Sequence, residues 1–512
     1  MGQTAYIRGR YQENVAASRT VGRALVYGSI IAMVGAGVGA ALGGENPGIG
    51  AVLGGGGILI MAASVVALAD WRRGFLLLAL IVLAEDSVRK ALPGAPGWVN
   101  LGKDFVVASC YLGYFFSPRK FEPRERLPAK VRGLMLLPIF LWYGFVVIQA
   151  FNPGVSHFLL GISGIRTWVL YMPVLWIAAS YLRDSETAQK SLNWVCALAL
   201  PFLGLCLLQN NFSEVLPAAF KEGVFKRERS LEGGGWIGYN ESFFASPTLY
   251  ALICLFQFCL VVGLLKTQQT TRWTVILWAS GYAAVAGAYL SGVRTALSLM
   301  AIAVATLTPL MLMRSYVEPD GQVTRRRGLF LGGLVGLLLG ALLVASMGEL
   351  RQRAFWTAFN SDYVDDRVTA SVRVIDDFHG GLLGNGTGTA GASGRVMSLV
   401  GLPNPSVEKA EWGTTVISYC FGTVGLWLGF ILVSWFLLGT LRLATEYRNG
   451  RFAPLRYSLW VFMGAQLSWY LFKAFPVLEN GTMCLVFWVS AGLILGLHRL
   501  DQRDFMQAGL RG

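Results

Sequence analysis

The stretch WTVILWASGYAAVAGAYLSGVRTALSLMAIAVATLTPLMLM, residues 273–313, decides the fold class, because Arg294 is its only formally charged residue. An apolar run of about 20 residues is long enough to cross the hydrocarbon core of a bilayer as a helix. This run is about twice that length, so it predicts two spans joined by a tight turn. Placing Arg294 at the turn removes most of the cost of a lone charge facing lipid at mid-depth.

Apolar segments of the same kind recur along the chain. Of its 512 residues, 54% are hydrophobic and only 14% are charged, which is too little charge for the surface of a soluble protein of this length. We therefore predict an all-α fold, a polytopic membrane bundle of about fourteen transmembrane helices. The predicted spans are 25–43, 50–69, 74–91, 101–117, 133–151, 167–182, 191–208, 244–265, 273–291, 294–313, 328–347, 413–437, 457–474 and 481–497.

The distribution of charge indicates the orientation of these spans. Segments on one predicted side hold 27 Lys and Arg against 11 Asp and Glu, whereas the other side holds 16 against 18. In membrane proteins, Lys and Arg concentrate in the cytoplasmic segments. The excess of basic residues therefore indicates the orientation of the spans and does not indicate nucleic-acid binding. The prediction is a cytoplasmic basic arm at 1–24, a membrane domain at 25–497 and a cytoplasmic tail at 498–512.

Two predicted extracytoplasmic loops, 209–243 and 348–412, are too long to be simple turns. The first half of the second loop alternates apolar and charged residues at near-helical spacing, which predicts interfacial helices on the membrane face. Its second half contains the glycine-rich stretch GGLLGNGTGTAGASGR, residues 380–395. Long loops on one side of a bundle indicate function on that side.

Arg294 has a counterpart in LLGISGIRTWVLYMP, because Arg166 is the only formally charged residue between Arg132 and Arg183. Both arginines are predicted at the extracytoplasmic end of a helical hairpin, where the returning helix begins. A snorkelling arginine, or one bound to loop carbonyls, is the alternative for each. Two of them on one side favour an anion site, since a guanidinium donates bidentate hydrogen bonds to a diphosphate and stays charged.

The segment EWGTTVISYCFGTVG, residues 411–425, closes the second long loop and enters a span. Taken alone, Gly422 and Gly425 indicate close helix packing, and Glu411 complements a helix dipole. Together with GIRTWVLY, SGVRTAL and the large loop, the segment resembles the O-antigen ligase and Wzy-type polysaccharide polymerase superfamily of GT-C-type membrane glycosyltransferases. The resemblance in layout covers roughly residues 70–500, and only its short motifs are sharp. The family ligases carry H-[NSQ]-x9-G-x-x-[GTY], and this chain keeps the spacing with Glu411 in place of the histidine.

The resemblance implies transfer of a glycan from an undecaprenyl-diphosphate carrier to a sugar hydroxyl, with no metal and no cofactor. Arg166 and Arg294 match the family's diphosphate-binding arginines, and Arg229 is a further candidate. The family histidine is proposed to deprotonate the acceptor hydroxyl. Glu411 is the expected base if a partly desolvated site raises its pKa, and His379 in the same loop is the rival.

The implied partners are the undecaprenyl-diphosphate-linked glycan donor, a glycan acceptor, the lipid bilayer and a chain-length regulator. The expected location is the bacterial inner membrane, with both termini cytoplasmic and the active site extracytoplasmic. Two alternatives stay open: a ligase that transfers finished polymer, and a flippase for lipid-linked oligosaccharides. A flippase is expected to show two similar halves, and no internal repeat is visible in the sequence.

Overall fold

The structure is a computed structural model, and it describes residues 47–91, 102–116, 129–211, 229–230, 236–237, 242, 244, 246–267, 269–315, 380–390, 413–472 and 481–509. The described part is helical apart from connecting segments and one two-residue strand pairing, which confirms the all-α prediction. The helices are α1 Pro47–Ala69, α2 Trp71–Ala91, α3 Gly102–Phe116, α4 Ala129–Gln149, α5 Phe158–Val169, α6 Val174–Tyr181, α7 Ser185–Ala197, α8 Ala199–Asn211, α9 Pro247–Leu264, α10 Thr271–Leu290, α11 Arg294–Ser315, α12 Gly413–Thr445, α13 Ala453–Phe472 and α14 Gly481–Gly509.

Six segments of the described chain are long and apolar enough to cross a membrane, which supports a membrane protein. They are Phe158–Tyr181, Ser185–Gln209, Pro247–Leu264, Thr271–Leu290, Gly413–Thr445 and Gly481–Gln507. Every predicted span that falls on described residues overlaps a helix or two consecutive helices, although the first helix that overlaps span 167–182 begins earlier, at Phe158. The predicted spans 25–43 and 328–347 lie outside the described residues. The total of about fourteen spans and the large extracytoplasmic loop therefore stay predictions.

The chain divides into two compact units, Met1–Glu122 and Pro123–Gly512. In the first unit, α1, α2 and α3 pack against one another. Trp71 at the start of α2 meets Tyr114 of α3 edge to face, with ring centroids 5.1 Å apart. Ala67 of α1 is fully buried in the same unit. Small residues at such contacts let helix backbones approach closely, as membrane helices do when they associate.

The second unit is built around α9, which packs against α7, α10, α11 and α13. Almost every residue of α9 is buried, and its sequence PTLYALICLFQFCLVVGL has no polar face. A helix that is hydrophobic all round belongs in the interior of a bundle. Helix α13 also packs against α14, which in turn packs against α6 and α12.

One face of α12 is apolar and exposed, as expected for a helix that faces lipid. Trp427, Ile431 and Leu438 are 57%, 59% and 61% exposed, whereas Leu432 and Phe436 on the inner face are buried. Large apolar side chains on both faces of one helix are typical of a membrane span at the periphery of a bundle.

The ends of the predicted loop 209–243 are tied together. The backbone N–H of Ser242 donates to Oε1 of Gln209 at 2.9 Å, and Nε2 of Gln209 donates to the carbonyl of Ser242 at 3.1 Å. Between them, β1 Arg229–Ser230 pairs antiparallel with β2 Trp236–Ile237. Ser242 is fully buried, so the segment after the loop re-enters the bundle before α9 begins.

A buried ion pair links α13 to α14. Arg456 and Asp501 are both fully buried, with Nη2 and Oδ2 3.1 Å apart. The guanidinium also donates to the carbonyl oxygens of Leu443 and Tyr447, while Oδ1 of Asp501 accepts the backbone N–H of Phe452 at 3.0 Å. Buried charges are tolerated only when they are paired and hydrogen-bonded in this way.

Candidate functional site

The hairpin around Arg294 has the predicted form. Helix α10 ends at Leu290 and α11 begins at Arg294, with a three-residue turn between them. Ser291 holds the turn, because its Oγ donates to the carbonyl of Ala288 at 2.6 Å and accepts the N–H of Val293 at 3.2 Å. Gly292 adopts φ +70°, in the left-handed region that favours glycine.

The hairpin around Arg166 differs from the prediction. Helix α5 begins at Phe158, where Nδ1 of His157 accepts the N–H of Leu159, and Arg166 lies in its last turn. The prediction that Arg166 starts the returning helix is therefore wrong, and Arg166 lies about 12 Å along the helix from Phe158. A charge inside an apolar stretch is typical of the end of a span, but here the residues on both sides of Arg166 continue one apolar helix.

Helix α5 has one buried and one exposed face, and Arg166 belongs to the exposed one. Gly164 and Trp168, one turn apart, are buried. Ile162, one turn before Arg166 and on the same face, is 46% exposed. Arg166 is half-buried and lies about 200° around the helix from Gly164. The arginine thus leaves α5 on the face that carries exposed apolar side chains.

The buried face of α5 contacts α12 directly. The rings of Trp168 and Phe421 meet edge to face with centroids 5.3 Å apart. Trp142 of α4 touches both, at 6.1 Å from Trp168 and 5.3 Å from Phe421. The motifs GIRTWVLY and EWGTTVISYCFGTVG, which are far apart in sequence, therefore lie side by side at this aromatic cluster.

Helix α12 is interrupted at Gly422, which adopts φ +67° and ψ −169°. A residue with a Cβ is disfavoured in this conformation. Gly422 therefore permits a break in the helix, and the close approach it allows is that of the 380–390 backbone. Gly425 does serve packing, since a Cβ there would lie 3.1 Å from the ring of Phe145 in α4.

The glycine-rich segment 380–390 fills this break. The N–H groups of Thr423 and Val424 donate to the carbonyls of Gly381 and Leu382, both at 3.1 Å. A helix break leaves backbone groups without helical partners, and such groups are costly in an apolar environment. The loop backbone replaces the missing helical hydrogen bonds.

The same segment also satisfies the carbonyls before the break. The N–H groups of Asn385 and Gly386 donate to the carbonyls of Tyr419 and Cys420, both at 2.9 Å. Nδ2 of Asn385 adds a longer hydrogen bond to Tyr419 at 3.4 Å. The loop and the interrupted helix thus form one hydrogen-bonded unit.

On its other side the loop is bound to the end of α4. The N–H of Thr387 donates to the carbonyl of Gln149 at 3.1 Å, and Nδ2 of Asn152 donates to the carbonyl of Gly384 at 3.2 Å. Gln149 and Asn152 are not among the site residues predicted from the sequence. The Asn152–Pro153–Gly154 turn was the available signal, because asparagine commonly bonds nearby backbone in turns.

Three buried hydroxyl groups in this region have no hydrogen-bond partner within the described part of the chain: Ser163 in α5, Thr387 in the loop and Ser418 in α12. All three residues are at most 4% exposed. Buried hydroxyls are usually paired, often by ordered water.

The remaining candidate residues are only partly described. Arg294 is the first residue of α11, and its side chain lies outside the described set, as does the side chain of Arg229 in β1. Helix α11 packs against α13, whose Tyr470 donates from its hydroxyl to the carbonyl of Gly413 at 3.3 Å. Arg294 is thus on a helix linked through α13 to the start of α12.

Both candidate bases, Glu411 and His379, lie outside the described residues. The described part of the chain also contains no cluster of three His, Cys, Asp and Glu side chains that could hold a metal ion. The structure brings the arginine-bearing α5, the glycine-rich loop and α12 together. No known family model matches the chain, and no curated protein matches it significantly.

Proposed function

We propose that this protein is a membrane glycosyltransferase that transfers an undecaprenyl-diphosphate-linked oligosaccharide to a sugar hydroxyl at the extracytoplasmic face, polymerising polysaccharide repeats. The observation that carries the proposal is the placement of Arg166, a half-buried charge on the exposed apolar face of α5. A diphosphate on a lipid carrier would reach that face from the bilayer. A guanidinium is well suited to it, because it stays charged and donates two parallel hydrogen bonds.

In the proposed reaction, the acceptor hydroxyl oxygen forms a bond to the anomeric carbon of the donor glycan. The bond between that carbon and the phosphate oxygen breaks, and undecaprenyl diphosphate leaves with the electron pair. Arg166 and Arg294 stabilise the negative charge that develops on the diphosphate. Glu411, or His379 in its place, takes the proton of the acceptor hydroxyl.

The contact between Trp168 and Phe421 supports this assignment, because it puts the helix of Arg166 beside the helix that follows Glu411 in the chain. Arg166 itself leaves α5 on the face away from Phe421. The donor diphosphate would therefore lie on the lipid side of α5, with its glycan reaching past the end of the hairpin toward the acceptor.

A flippase is the second candidate, and the interruption of α12 at Gly422 favours it, since broken helices commonly bind substrates in transporters. Here, however, the 380–390 backbone already bonds the groups beside the break, Tyr419, Cys420, Thr423 and Val424. Because these backbone groups are already hydrogen-bonded to the loop, they are not available to bind a transported substrate, and this favours the transferase.

The test is polymer synthesis in cells that lack the chromosomal gene and carry plasmid-borne variants. We expect Arg166→Ala, Arg294→Ala and Glu411→Gln to abolish long polymer while each protein still inserts into the membrane. Full activity of Arg294→Ala would contradict the diphosphate assignment. Normal polymer from Glu411→Gln with loss in His379→Ala would assign the base to the histidine. If the donor glycan in cells with an inactive variant accumulates only on the cytoplasmic leaflet, the protein is a flippase.

A further inference from the structure

We infer that the glycine-rich loop 380–390 is a fixed bridge that sets the rotation of α5 about its axis, and that Gly164 and Gly388 are the positioning residues through which it orients Arg166. This inference rests on the proposed diphosphate-binding role of Arg166. The inference assigns a function to the 380–390 segment, which has no role in the motifs or in the proposed chemistry.

The backbone of the loop is bound firmly to α12. Four backbone hydrogen bonds of 2.9–3.1 Å join its residues 381–386 to α12 on both sides of Gly422. A Cβ on Gly384 would lie 2.5 Å from the backbone N of Gly422, so the two backbones are in direct contact. The end of the loop is held too, because Oγ1 of Thr389 donates to the carbonyl of Gly386 at 2.7 Å and lies 3.8 Å from Sγ of Cys420.

The loop also lies against α5, where backbone atoms of the two segments are in close contact. A Cβ on Gly164 would overlap Oγ1 of Thr387, and it would also lie 2.5 Å from the N of Gly388 and 2.6 Å from the carbonyl carbon of Thr387. A Cβ on Gly388, which has φ +88°, would overlap the carbonyl oxygen of Leu160. Because these backbone atoms lie so close, rotating the Thr387 side chain away cannot by itself make room for a methyl group on Gly164, and one of the two backbones must move.

Arg166 lies on the side of α5 opposite this contact. Leu160 and Gly164 are one turn apart on the loop-facing side of α5, and Arg166 lies about 200° around the helix from Gly164. A helix held along one side by a rigid neighbour cannot rotate, so the opposite side keeps a fixed direction. The loop thus determines where the guanidinium of Arg166 lies without touching the substrate.

The experiment is a double-mutant cycle on the purified full-length protein in lipid nanodiscs, with undecaprenyl diphosphate as the probe and its dissociation constant as the readout. We expect Arg166→Ala to weaken binding about tenfold or more, and Gly164→Ala to weaken it by a similar factor. In the Arg166→Ala background, Gly164→Ala should have no further effect, because it acts through the arginine. Gly144→Ala in α4 is the control, since no atom lies within 4 Å of its Cβ position.

The outcomes separate the two proposals. If Arg166→Ala binds undecaprenyl diphosphate as well as the native protein, the diphosphate assignment fails and this inference fails with it. If Arg166→Ala weakens binding but the effects of the two substitutions multiply, the assignment survives and the positioning role is refuted.

A second variant keeps the inference testable if Gly164→Ala does not fold. Thr389→Cys places a thiol next to Cys420, so mild oxidation can link the loop covalently to α12. A fixed bridge predicts the same affinity for undecaprenyl diphosphate in the oxidised and reduced forms. A tenfold loss on oxidation, restored by a reductant, would show that the loop must move and would overturn the inference.

Discussion

At the scale of single residues, Arg166 is the candidate site residue whose side-chain environment the structure describes. It is half-buried on a helix face whose neighbour Ile162 is 46% exposed. A snorkelling arginine needs only its positive charge, whereas a diphosphate ligand uses the planar fork of the guanidinium. A substitution that keeps the charge and removes the fork separates these two explanations.

We therefore predict that Arg166→Lys lowers the rate of glycan transfer at limiting donor by about tenfold or more, because lysine cannot donate two parallel hydrogen bonds to one phosphate. Arg442→Lys is the matched control, since Arg442 is exposed at the end of α12, and its activity should be unchanged. The measurement is the initial rate over a range of donor concentrations. Native rates for Arg166→Lys would favour snorkelling.

At the scale of elements, the central feature is the interrupted helix α12 with the 380–390 segment in its break. Gly422 has a left-handed backbone, and a Cβ there would lie 2.6 Å from the carbonyl carbon of Leu382. At φ +67° and ψ −169°, the conformation alone costs a residue with a Cβ about 1–3 kcal/mol. The close approach adds to that cost, because backbone cannot move aside as a flexible side chain can.

Gly422→Ala should consequently lower the thermal unfolding temperature of the purified protein and reduce transfer activity. The control is Gly464→Ala in α13, where nothing lies within 4 Å of the Cβ position. Replacing a helical glycine by alanine there should be neutral or stabilise by roughly 0.5–1 kcal/mol. Equal stability of Gly422→Ala and the native protein would mean that α12 is continuous.

At the scale of the whole molecule, the second unit is stabilised by an apolar interior and by the buried pair Arg456–Asp501. Removing one partner of a buried pair leaves an uncompensated charge, which costs about 3–5 kcal/mol. The pair lies where α13 and α14 meet the turn after α12, so it holds together three helices that support the candidate site.

Asp501→Ala is therefore expected to destabilise the protein strongly, whereas Asp504→Ala, three residues further along α14 and exposed, should change stability by no more than about 0.5 kcal/mol. Thermal unfolding in one detergent measures both. Asp501→Asn should be intermediate, because an amide can still accept hydrogen bonds. Similar unfolding temperatures for Asp501→Ala and Asp504→Ala would show that the ion pair contributes little.

The positions of most helices follow from the sequence, because spans such as 244–265 and 481–497 are apolar over their whole length. The start of α5 does not follow from the sequence, because a charged residue such as Arg166 within an apolar segment is typical of the end of a span. The place of the 380–390 segment is not predictable either. Its contacts join residues such as Asn152 and Gly384, which are 232 positions apart, and glycines carry no side-chain pattern that identifies a partner. The motifs suggested a common site for α5 and α12, while the loop that connects them was visible only in the structure.

The most direct test of the proposed function is transfer by the purified protein in liposomes that contain an undecaprenyl-diphosphate-linked oligosaccharide and an acceptor glycan. The account predicts products longer by whole repeats, release of one undecaprenyl diphosphate per repeat added, and loss of both in Arg166→Ala and Glu411→Gln. Intact donor and unextended acceptor after prolonged incubation with a folded, inserted protein would contradict it.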